Sequence, residues 1–208
     1  MLMNHLKLGK FSRLETALLC LRPEENDLDK VYEILCSVSK VRVLKLDKAT
    51  VKAPFSKGSM PAPIYDIHSL SMDIRRFTDD LVPAMASLFR GLPNLHILCI
   101  QSKSPRDDPQ SDTSGCDMEY WKLQNLAFIN QLVVVSIELC NGSNGIDLAR
   151  YILECAPNLL HMFIIYPTLV SEMVTRKLKE SKIVSGAKVV YHENKGSSSG
   201  IFQKLILS

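Results

Sequence analysis

His96 and Cys99 stand three residues apart in "HILC", and an imidazole beside a thiol is the pairing from which a cysteine nucleophile and its base are made. Both lie in one apolar run, so the sequence reads them as neighbours on a single strand rather than as a dyad assembled in a cleft. No Gly-x-Ser-x-Gly elbow, phosphate-binding glycine loop or His-Glu-x-x-His pair occurs. A hydrolase remains the least favoured reading, and the expectation is a protein that is not an enzyme. His68, His96 and His161 belong to different segments and show no ligand spacing. Cys20, Cys36, Cys99, Cys116, Cys140 and Cys155 form no Cys-x-x-Cys pair. No metal or other cofactor is expected, and the cysteines read as reduced thiols behaving as small hydrophobes.

Two further motifs are weaker. "NGS" at Asn141–Ser143 matches a glycosylation acceptor and reads equally as a turn. The polar stretch Gln101–Asp117 holds Ser104 before Pro105 and the cluster Ser111, Thr113 and Ser114 among acidic residues. It is either a regulatory phosphorylation segment or a solvated loop.

The totals narrow the function classes. The 208 residues are 46 % hydrophobic, enough for a sizeable core, and 25 basic against 22 acidic side chains leave a net charge of +3. That balance does not suggest a nucleic-acid binder. The most apolar run, Leu159–Val170, is interrupted by His161 and Pro167 and is shorter than a membrane helix requires. The amino terminus has no signal-peptide pattern. The expected protein is soluble, cytoplasmic or nuclear, with no membrane partner.

The elements that would position any functional residue follow one spacing. Val41, Leu44 and Leu46 repeat the pattern of Leu95, Leu98 and Ile100. So do Ile67, Leu70 and Met72; Leu132, Val135 and Ile137; and Leu159, Met162 and Ile164. The last members fall at 46, 72, 100, 137 and 164, and three of the four steps match the period of leucine-rich repeats. The long step, from 100 to 137, encloses the polar stretch at about 101–117. Segments 13–22 and 187–193 supply further strands at either end.

Between strands the periodicity becomes helical: Leu28, Val31, Leu35 and Val38; Leu81, Met85, Leu88 and Leu92; Ile146, Ala149, Leu153 and Ala156. A fourth helix spans about 170–181, with Val170, Met173, Val174 and Leu178 inward and Arg176, Lys177 and Lys179 near its negative pole. Thr78 or Asp79 is the expected cap of the second helix and Asn144 of the third, which Pro157 ends. The expected fold is an α/β leucine-rich-repeat-like solenoid with a parallel strand layer and helices on the opposite face. A doubly wound open sheet is the alternative.

The run Trp121–Pro167 also resembles the FBD module of plant F-box leucine-rich-repeat proteins, through "LVVVSIEL", the turn "CNGSNG" and the helix "IDLARYILECAPNL". Upstream, "SVSKVRVLKL" and "LFRGLPNLHILCI" are similar to the preceding repeats of that family. The resemblance implies a substrate-binding repeat region of a cullin-RING ubiquitin ligase, docked through an F-box onto a Skp-type adaptor. No F-box is recognisable here, so the adaptor is an expected partner only of a longer form. A free-standing scaffold or competitor without a ubiquitin-ligase link is the alternative. The chain also departs from typical repeats in having no asparagine ladder, with only Cys140 at the usual position. Residues 1–120 read as repeats with the insertion, 121–193 as FBD-like terminal repeats, and 194–208 as a flexible tail or cap.

In such a fold the residues alternating with the Leu-like positions line the exposed sheet face. They are Val43, Lys45 and Asp47; Ser69, Ser71 and Asp73; Ile97, Cys99 and Gln101; Val134, Ser136 and Glu138; and His161, Phe163 and Ile165. Val43, Lys45, Asp73, Ile97, Val134, Glu138, His161 and Phe163 are the candidates for binding an unknown protein substrate or ligand. The competing reading is that a cap, the inserted loop or the carboxyl-terminal strand covers them.

Overall fold

The computed structural model describes residues 14–21, 28–55, 62–102, 117–139, 144–168 and 171–194. Seven strands, β1 (Thr16–Leu19), β2 (Val43–Asp47), β3 (Ser69–Asp73), β4 (Ile97–Gln101), β5 (Val134–Glu138), β6 (His161–Pro167) and β7 (Lys188–Asn194), form one parallel sheet in chain order. Six α-helices connect them: α1 (Leu28–Ser37), α2 (Lys48–Phe55), α3 (Val82–Arg90), α4 (Met118–Leu123), α5 (Asn144–Cys155) and α6 (Ser171–Lys179). A short 3-10 helix, Ala127–Asn130, precedes β5.

The strand register follows the apolar spacing. Leu46, Met72, Ile100, Ile137 and Ile164 are successive partners across β2–β6, as are Leu44, Leu70, Leu98, Val135 and Met162. All ten are buried. Slipping any strand by one residue would exchange its buried and open faces, so the alternation itself holds the register. The long step between β4 and β5 leaves this ladder in place, and α4 and the short 3-10 helix lie in its described part. Of the expected loop, 103–116 lies outside the described residues.

Buried helix residues share a core with the inward strand residues: Val31 and Leu35 of α1, Met85 and Phe89 of α3, Leu148 and Ile152 of α5, Val174 and Leu178 of α6. Behind β4 and β5 the core is aromatic. Phe89 lies 5.0 Å from Phe128, and Trp121 stacks on Tyr151 at 6.4 Å, centroid to centroid. The lost water contact of these large rings is a main source of stabilisation there.

Several local expectations change. Neither Thr78 nor Asp79 caps α3. A turn closed by Leu81 N donating to Thr78 O (2.9 Å) comes first, and the N-cap is Leu81 without a side-chain bond, with Pro83 in the first helical turn. Thr78 Oγ1 instead accepts from Lys48 Nζ at 3.1 Å. Asn144 is the first residue of α5 rather than its cap, and its Nδ2 donates to Phe77 O (3.0 Å) and Asp79 Oδ1 (2.6 Å). These bonds tie the starts of α3 and α5 together. α5 ends at Cys155, before Pro157, and α6 carries Arg176, Lys177 and Lys179 in its last turn, as expected. Val170 and Cys140 lie outside the described residues, as do 1–13 and, of the tail expected at 194–208, all but Asn194, which ends β7.

Helices α2 and α4 were not expected. α2 is announced by Asp47, whose Oδ1 accepts from Thr50 N at 2.9 Å, and Asp117 caps α4 by accepting from Tyr120 N at 3.1 Å. The described residues also contain asparagine bridges between successive connections, at the corner entering the strand. Asn94 Nδ2 donates to Tyr65 O (3.0 Å) and Asn158 Nδ2 to Asn130 O (2.7 Å). Both follow a proline and precede an inward leucine, in "PNL".

Candidate functional site

One face of the sheet shares the core with the helices, while the alternate residues form three transverse rows on the other. The first runs Thr16, Val43, Ser69, Ile97, Val134, His161, Lys188, one residue per strand from β1 to β7. The second runs Leu18, Lys45, Ser71, Cys99, Ser136, Phe163, Val190. The third holds Asp47, Asp73 and Gln101 on β2–β4, then Glu138, Ile165 and His192 on β5–β7. Neighbouring strands sit about 4.8 Å apart, and neighbouring rows about 7 Å, two residues along each strand.

The candidate residues therefore share one surface. Val43, Ile97, Val134 and His161 fall in the first row, Lys45 and Phe163 in the second, Asp73 and Glu138 in the third. Asp73 and His161 are exposed and the other six half-buried. His161 and Phe163 stack with ring centroids 6.3 Å apart. Asn194 Nδ2, from β7, donates to Glu138 Oε1 at 3.2 Å.

Two expected surface residues are buried. Cys99 and Ser136, at the centre of the middle row, keep only 4 % and 2 % of their surface. Leu18, 66 % exposed, and Val190 join the surface from the edge strands. Their strands were legible, but no exposed positions were assigned to them, because the end repeats lack the full apolar triplet that sets the register. β7 lies beside β6 as a further strand and extends the face, so it does not cover it.

The electrostatics disfavour thiol chemistry at Cys99. Burial pushes the thiol from 9.0 up to about 12, against a smaller opposing effect of the hydrogen bond with Ser71, so the sulfur stays protonated at neutral pH. His96 Nδ1 lies 2.6 Å from Asn94 O, which also meets His68 Nδ1 at 3.1 Å, and the two rings meet edge to face at 5.2 Å. One carbonyl accepting from both rings places a proton on each Nδ1. These histidines thus belong to the Asn94 corner.

Among the described residues, no three His, Cys, Asp or Glu side chains gather as a metal site. Likewise, no helix among them is long and apolar enough to cross a membrane. No family model, curated protein or solved structure matches the chain.

Proposed function

We propose that this chain is a leucine-rich-repeat-like solenoid whose open sheet face recognises a protein partner, as in the substrate-binding part of an F-box protein. The observation that carries the reading is the in-register open face, where apolar side chains stand beside polar ones. Val134, Phe163, Ile165 and Val190 make an apolar group on β5–β7, rimmed by His161, Lys188, His192 and Glu138. An apolar centre within a polar rim is the usual anatomy of a protein interface. A repeat fold suits this role because each repeat adds one residue to each row, so the surface lengthens without new architecture.

The FBD resemblance supplies the link to a cullin-RING ubiquitin ligase. Its test is precipitation of the endogenous protein followed by identification of what accompanies it. A Skp-type adaptor in the complex is the expected result. A partner bound without adaptor would assign the same face to a free-standing scaffold or competitor. The face itself is tested by photo-crosslinking from position 163 and, as a control, from exposed Leu123 on α4. Partner adducts are expected from 163; adducts confined to 123 would overturn the placement.

A further inference from the structure

Asn144 is followed by Gly145, the residue order in which an asparagine amide is lost most readily, because a glycine without Cβ leaves the attacking nitrogen unshielded. The packing itself selects that glycine. A Cβ at position 145 would stand 2.8 Å from Leu139 Cδ2, and Leu139 is buried. Gly145 is also the second residue of α5, so no intrahelical bond occupies its N–H. The asparagine side chain is buried and held by its amide nitrogen: Nδ2 donates to Phe77 O at 3.0 Å and to Asp79 Oδ1 at 2.6 Å. Its Oδ1 has no hydrogen-bond partner among the described residues. Two acceptors thus face one position, where only a donor is compatible.

From this junction we infer that Asn144 is a deamidation site, guarded by the folded contact between α5 and the segment leading into α3, and disruptive to that contact once modified. In the reaction the Gly145 nitrogen attacks Asn144 Cγ. The N–Cγ bond forms, the Cγ–Nδ2 bond breaks, and the nitrogen's proton leaves with Nδ2 as ammonia. Water then opens the succinimide ring to aspartate or isoaspartate. In the folded chain the two bonds to Nδ2, the burial and the helical backbone all oppose ring closure, so the reaction proceeds through local opening at the start of α5. Afterwards an oxygen replaces Nδ2, and a carboxylate faces the Asp79 carboxylate and Phe77 O with no donor between them. The α5 dipole favours negative charge at this end, but direct repulsion at hydrogen-bonding distance outweighs it. Isoaspartate also adds a methylene to the main chain in the first helical turn. Either product releases the bonds that join α5 to the start of α3, so each modification makes the next opening easier.

The test incubates the full chain at mildly alkaline pH, with and without denaturing urea, and follows position 144 by peptide mapping, fragment ions separating it from Asn141. Conversion is expected to be at least about tenfold faster in urea, as for a site reached through opening. In Asp79→Ala, which removes one acceptor of Nδ2, the native rate should rise toward the urea rate. Equal rates in native and urea samples would overturn the guarding contact, and no conversion in urea would overturn the site. The consequence is read from urea midpoints. Asn144→Asp should lower the midpoint, and the exchange variant Asp79→Asn with Asn144→Asp, which returns a donor to the pair, should recover most of the loss. A midpoint unchanged in Asn144→Asp, or a loss that the exchange leaves as it was, would overturn the repulsion. Should Asn144→Asp alone fail to fold, a folded exchange variant supports the repulsion and an unfolded one counts against it.

Discussion

Cys99 shows how far a residue's type is from its chemistry. Six cysteines are present, but reactivity depends on the thiolate, and burial at the middle row suppresses it at Cys99 while Cys20 and Cys36 are exposed. Brief alkylation at pH 8 followed by peptide mapping should label Cys20 and Cys36 and spare Cys99; equal labelling would contradict its burial. The same burial has a pH consequence. The folded-state value of Cys99 is raised from 9.0 to about 12, and that of Tyr151 from 10.0 to about 12, in both cases chiefly by desolvation. Below pH 9 both groups are protonated whether the chain is folded or not. Above it the unfolded chain ionises first, so their contribution is lost as pH rises from about 9 to 12. Urea midpoints should therefore fall across that window, and less steeply in Cys99→Ala. Leu98 represents the opposite face: fully buried on β4, its truncation in Leu98→Ala should cost about 2–5 kcal/mol in urea unfolding. Against a total of about 5–15 kcal/mol, that loss is large enough to threaten folding.

At the scale of elements, long helices and inward strand positions were readable because each repeats a local period, whereas α2 and α4 were not. Both are short, and α4 has only six residues, too few for an amphipathic stripe to emerge. Their signals were capping residues, Asp47 before Thr50 and Asp117 before Tyr120, which carry less information than a run of apolar positions. No asparagine ladder is expected at the usual strand-exit position, and the asparagine bridges among the described residues lie at the strand entrance, where the "PNL" turns bring Asn94 and Asn158 to the carbonyls of Tyr65 and Asn130. Each bond is exposed, so Asn94→Ala and Asn158→Ala should each cost about 0.5–1 kcal/mol. The two sites lie two strands apart, and the double variant should be nearly additive when measured by urea unfolding. Strong non-additivity would mean that the corners act as one network.

For the whole molecule, the sequential parallel order makes stability depend on neighbours along the sheet. β4 and β5 have a strand on each side, while β1 has four residues and, among the described residues, pairs with β2 alone. Native-state hydrogen exchange should be slowest in β4 and β5 and fastest in β1; equal protection of all strands would indicate one global unfolding unit. The sequence by itself determined the register of β2–β6 and which face of each is inward, because period-two alternation and the recurring apolar triplet are local signals with one geometric solution. It also determined the membership of the open face on β2–β6, including all eight candidate residues. The tertiary structure decided which of those rows are deep, how the end strands join them, and what Asn94, Asn144 and Asn158 bond to. Each of those three side chains reaches a partner between 28 and 67 residues away, and the depth of Cys99 is set by neighbours on other strands. Such relations depend on folded distance rather than on spacing along the chain, and no local pattern encodes them.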